Sequence, residues 1–120
     1  MTTAERYQSV SAQLFDQAHV ELEAGDLIQA SEKFWGATAQ ALKAVAEDRG
    51  WPHKSHAQLF AVLRNVVNET GDREITRLFT SANSLHVNFY EHYMEKDEMM
   101  TFVEDVRDLI QRLDNIQNSQ

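Results

Sequence analysis

Leu27-Ile28-Gln29-Ala30-Ser31-Glu32-Lys33-Phe34-Trp35-Gly36-Ala37-Thr38-Ala39-Gln40-Ala41-Leu42-Lys43-Ala44-Val45-Ala46-Glu47-Asp48-Arg49 is apolar or small around more than half of a helical circumference. A helix on the surface of a bundle needs only one apolar stripe. Here Ala30, Phe34, Trp35, Ala37, Ala41, Leu42, Val45 and Ala46 ask for neighbours on several sides, so residues 27–49 read as the central helix, packed by several others.

The flanking segments supply those neighbours. Thr2 and Glu5 stand in capping-box spacing ahead of a helix from about Ala4 to Glu23, with Tyr7, Val10, Leu14, Ala18 and Leu22 on one stripe. Gly25-Asp26 turns the chain into the central helix, and Gly50-Trp51-Pro52-His53 ends it. Ser55 and Gln58 form the capping box of a third helix carrying Leu59, Phe60, Leu63, Val66 and Val67. Thr70-Gly71-Asp72 stops that helix, and Asp72 can cap a fourth that continues to about Met94. Lys96-Asp97 leads into a fifth with Met99, Phe102, Val103, Val106, Leu109, Ile110 and Leu113 at helical spacing. No strand pattern competes. The expectation is an all-α fold, a single domain over residues 1–120, built as an antiparallel bundle of four to five helices.

Composition narrows the functions. The 120 residues include no cysteine, which removes disulfides, thiolate metal sites and a cysteine nucleophile. No apolar run approaches the ~20 residues that span a bilayer, and the start, Met1-Thr2-Thr3-Ala4-Glu5-Arg6-Tyr7, lacks a signal-peptide pattern, so a cytoplasmic location without membrane attachment is expected. A net charge of −8 repels polyphosphate and speaks against autonomous DNA binding. There is no glycine-rich phosphate loop and no serine elbow of a hydrolase. His53 and His56 are three apart, but Pro52 and the cap at Ser55 put them across a loop-to-helix start with no acid nearby in sequence. Neither a metal nor a cofactor is expected.

The chemistry-bearing residues gather in two places. In Asn83-Ser84-Leu85-His86-Val87-Asn88-Phe89-Tyr90-Glu91-His92-Tyr93-Met94, a helical wheel sets His86, Phe89, Tyr90 and Tyr93 within roughly 100° of arc, and Ile75, Phe79 and Ala82 extend the same face backwards. His86 is therefore expected to point at the core or at a partner, with Tyr90 and Tyr93 as packing residues whose hydroxyls stay wet. Asn88 and Glu91 fall off this stripe and read as solvated or interface groups. On the central helix, Glu32 and Lys33 stand at the polar edge, where Gly36 would let a backbone or ligand approach closely. Trp35 lies one position round, as a core residue or a platform for stacking a base.

Gly25 to Ala37, then Ala41-Leu42-Lys43-Ala44, Ser55-His56, and Leu85 to Glu91 together resemble the PaREP family of small helical proteins, in or near the HEPN superfamily. The resemblance spans most of residues 5–114. It implies an HEPN-like up-and-down bundle that dimerises, and adds Asn88 to the candidate binding residues His86, Tyr90, Tyr93, Glu32, Lys33 and Trp35. HEPN-like proteins include metal-independent ribonucleases and partners of small nucleotidyltransferases. The ribonuclease branch carries an arginine about four to six residues before a histidine, whereas the nearest arginine upstream of His86 is Arg77, nine residues away and roughly 180° round the helix. The resemblance therefore implies a non-enzymatic binding or assembly module, a homodimer acting with a nucleotidyltransferase-like partner protein or a nucleotide. The alternative is a ribonuclease with His86 as base and a cation supplied across the dimer.

Overall fold

The Thr2 hydroxyl accepts the Glu5 N–H at 3.1 Å while the Glu5 carboxylate takes the Thr2 N–H at 2.8 Å, so α1 (Thr3–Glu23) starts on a complete capping box. In this computed structural model, which describes residues 1–119, four more helices follow: α2 (Leu27–Arg49), α3 (His56–Thr70), α4 (Glu74–Glu91) and α5 (Lys96–Asn118). Each junction has a local cause. Asp26 caps α2 through the Gln29 N–H, and Gly50 closes it at φ 69°, a left-handed conformation that costs glycine little. Ser55 and Gln58 cap α3 reciprocally. Asp72 accepts the Glu74 N–H at 3.2 Å as α4 begins, and Glu95 with Glu98 boxes the start of α5.

The architecture is an all-α helical bundle, and α2 packs against every other helix. Phe34, Leu42 and Val45 of α2 are wholly enclosed, together with Leu22, Val62, Val66, Ile75, Leu78, Leu85, Met99, Leu109 and Leu113 from the surrounding helices. Burying each such side chain is worth roughly 1.5 to 3 kcal/mol before conformational entropy is set against it. Small residues let α1 come close to α2: Ser11 donates its hydroxyl to the Ala37 carbonyl at 2.7 Å, and a Cβ at Gly36 would stand 3.4 Å from Leu14 Cδ1. Gly36 thus faces Leu14 of α1. No described helix is long and apolar enough to cross a membrane.

One boundary differs from the expectation at α4. It ends at Glu91, three residues before Met94, because His92 takes the left-handed conformation at φ 54° and the chain doubles back toward α5. Its buried face is Ile75, Leu78, Phe79, Ala82 and Leu85, and His86, one turn beyond Ala82, stands at the outer end of that face.

Candidate functional site

Glu32 and Trp35 lie one turn apart on the side of α2 that meets α3 and α4. Trp35 is 6% exposed and sets its ring edge-on to Phe79 at 5.7 Å. Two imidazoles cover it. His86 of α4 lies with its ring centre 4.7 Å from Trp35, and His56, the first residue of α3, stacks on Trp35 at 5.1 Å. The two histidines are themselves 5.1 Å apart with their planes 29° from parallel. One turn along α3, Phe60 touches both His56, at 5.4 Å, and Phe79, at 5.0 Å. This wall of rings holds the imidazoles in place by packing.

Glu32 sets the orientation of His86. Its Oε2 lies 3.3 Å from His86 Nδ1, so a hydrogen on Nδ1 is donated to the carboxylate and Nε2 is left for another contact. The His86 side chain keeps 21% of its surface exposed, and Tyr90 stands perpendicular to it at 5.4 Å, itself 66% exposed. Chemically, the arrangement is a carboxylate-oriented imidazole at the protein surface with a second, exposed imidazole beside it. Such a pair can hold and pass a proton.

The structure redistributes the residues singled out from the sequence. His86, Glu32 and Trp35 come together. His86 sits at the rim of the core, on the face it shares with Ile75, Phe79 and Ala82 but with its side chain partly exposed. Lys33 points the other way, to Glu21 of α1 at 2.6 Å. Tyr93 lies beyond the end of α4, so the wheel that aligned it with His86 does not apply, and it is 52% exposed and not packed. Tyr90 is likewise a surface residue with only its ring edge on the site. Asn88 is not a solvated group. It is fully buried, donates its amide to Ser31 Oγ at 2.8 Å, and accepts the Tyr93 and Met94 N–H groups, each at 2.8 Å.

His56 is the member that sequence reasoning placed elsewhere, as a poor metal partner of His53. The two in fact diverge: His53 turns to Glu47, 2.9 Å from its Nε2, and to the Tyr7 ring. Only the α3–α4 hairpin brings His56 to His86, a contact with no local signal. Arg77 pairs with Glu74 at 2.7 Å and lies 3.7 Å from Asp105, away from the imidazoles. Among the described residues, no group of three or more histidine, aspartate or glutamate side chains is arranged to hold a metal ion.

With this geometry in view, comparison with known proteins is informative. The sequence profile of the archaeal PaREP1/PaREP8 family matches residues 6–110, a span that includes every residue of the ring stack. The chain belongs to that family. A crystal structure of a protein from Sulfolobus solfataricus is similar to it, with a TM-score of 0.74 at 26% identity over 88% of this chain and 94% of that one. No curated protein matches the chain. In this PaREP1/PaREP8 chain, then, Glu32, Trp35, His56 and His86 form the candidate site.

Proposed function

We propose that the chain is a non-enzymatic, HEPN-like binding and assembly module of the cytoplasm, forming a homodimer and engaging a nucleotidyltransferase-like partner protein or a nucleotide through the C-terminal half of α4. The observation that carries this reading is the exposure of Tyr90 at 66%, Tyr93 at 52% and Val87 at 41%, next to the oriented His86. Solvated aromatic and aliphatic groups clustered beside a fixed polar group are the composition of a contact surface. The net charge of −8 weighs against a free-standing nucleic-acid binder. Sedimentation at micromolar concentration tests assembly. A dimer that dissociates in Tyr90→Asp, with the melting temperature kept, is the expected result, and a single species of monomer mass removes the reading.

A second reading has one specific observation in its favour. His56, 5.1 Å from His86, supplies the second proton-transfer group that a metal-independent ribonuclease with His86 as base would use. Against it stands Arg77, paired on another face. Cleavage of a mixed RNA pool without metal, lost in His86→Ala while folding is unchanged, would overturn the non-enzymatic choice.

A further inference from the structure

A second feature lies on the opposite side of α2. Helices α1 and α5 both pack on α2 but not closely on one another, and a trough of about 380 Å³ runs between them. Side chains bridge α1 and α5 on either side of it. Gln8 reaches Asp114 at 3.4 Å and Asn118 at 3.3 Å, and at the other end Arg107 donates to His19 Nε2 at 2.9 Å. Phe15 and Ile110 supply an apolar surface, and the short Ala12 side chain leaves the space open.

The charges in the trough are unbalanced. Among the described residues that line it, the one cation, Arg107, is engaged twice, by His19 and by the face of Phe15, with its guanidinium carbon 4.9 Å from the ring centre. Two carboxylates have no cation: Asp16 has no partner among the described residues, and Asp114 has only the long amide contact of Gln8. Gln8, which marks the Asp114 end, is eight residues from Asp16 on α1, a rise of about 12 Å at 1.5 Å per residue. From the open, elongated groove, its apolar floor and the two separated carboxylates, we infer that this trough binds a linear aliphatic polyamine, its methylenes on Phe15 and Ile110 and its ammonium groups on Asp16 and Asp114.

Burial also pushes the Asp114 carboxyl above the usual aspartate range, the direction of a carboxylate that lacks a counter-charge. A bound ammonium would supply one and draw the carboxyl back down, so binding should release protons over the range in which Asp114 titrates.

The test is calorimetric titration of spermidine into the full chain at low salt. A saturable single site is expected, weakened about tenfold by Asp114→Asn and by Asp16→Asn, one charge-assisted contact being worth that much. Ala12→Trp should fill the trough and abolish binding with the melting temperature unchanged. Asp97→Asn, an exposed acid at the start of α5, should leave the affinity as it is. The inference is overturned if the heat does not saturate, if Mg²⁺ competes equally well, or if Asp97→Asn weakens binding as much as Asp114→Asn, since each of these marks general attraction to an acidic surface.

Discussion

The side-chain amide of Asn88 satisfies three groups at once: the Ser31 hydroxyl on α2 and the backbone N–H groups of Tyr93 and Met94, which have left the helical ladder. Asn88 itself is at zero exposure and its bond to the Met94 N–H is buried, so losing the amide leaves a buried polar group unpaired. Asn88→Ala should therefore cost roughly 2 to 4 kcal/mol in urea denaturation. A loss below about 0.5 kcal/mol would mean that water replaces the amide. His86 behaves differently because its exposed edge tolerates change. His86→Phe keeps the Trp35 and His56 ring contacts and should stay within about 1 kcal/mol of the parent, whereas His86→Asp sets a second carboxylate against Glu32 and should cost about 2 kcal/mol. Equal melting temperatures for these two variants would show that Glu32 and His86 do not meet. The amide of Asn88 was misplaced from sequence for a physical reason. It falls on the continuation of the Leu78, Ala82, Leu85 stripe, but a polar residue there looks solvated until the returning chain that it caps is known.

At the scale of the element, the helix starts were legible because their signals are local. Thr2 with Glu5, and Ser55 with Gln58, are reciprocal caps that a few residues suffice to specify. The end of α4 was not, since no glycine or proline marks it. His92 holds the left-handed conformation in their place, at φ 54°, which an L-residue with a Cβ adopts at a cost of about 1 to 2 kcal/mol. His92→Gly should thus stabilise the protein by up to about 1 kcal/mol, the greater freedom of glycine in the unfolded chain offsetting the remainder. Thermal unfolding measures it, and an unchanged or lower midpoint would show that the His92 ring makes compensating contacts. The stack of Trp35, His56 and His86 was half legible for a related reason: helical periodicity identified Trp35 and His86 separately, but the pairing with His56 exists only once α3 folds back along α4.

For the whole molecule, pH acts through two carboxyls in opposite senses. Arg49 ties α2 to α3 by hydrogen bonds to both carboxylate oxygens of Glu69 and reaches Gln117 of α5, and the guanidinium holds the Glu69 carboxyl below the usual range. A carboxyl lowered in the folded state contributes stability above its unfolded pKa of about 4.3, and that stability is lost as pH falls through the folded value. Asp114 is raised by burial, so its ionisation opposes folding at neutral pH, and protonation relieves the opposition on the acid side. Both glutamine-type replacements remove the titration. Glu69→Gln should accordingly unfold at lower urea than the parent at pH 7, and Asp114→Asn at higher urea. Both curves should converge on the parent from their opposite sides as the pH is lowered toward about 3, where the native carboxyls are themselves becoming neutral. Each variant removes one negative charge from the parent's net −8, so the relief of general self-repulsion has the same sign in both and cannot by itself produce opposite shifts. Midpoints measured from pH 3 to 7 that run parallel to the parent would show that neither carboxyl differs between the folded and unfolded chains, and the Arg49 clamp and the unpaired Asp114 would then carry no weight in the stability of the bundle.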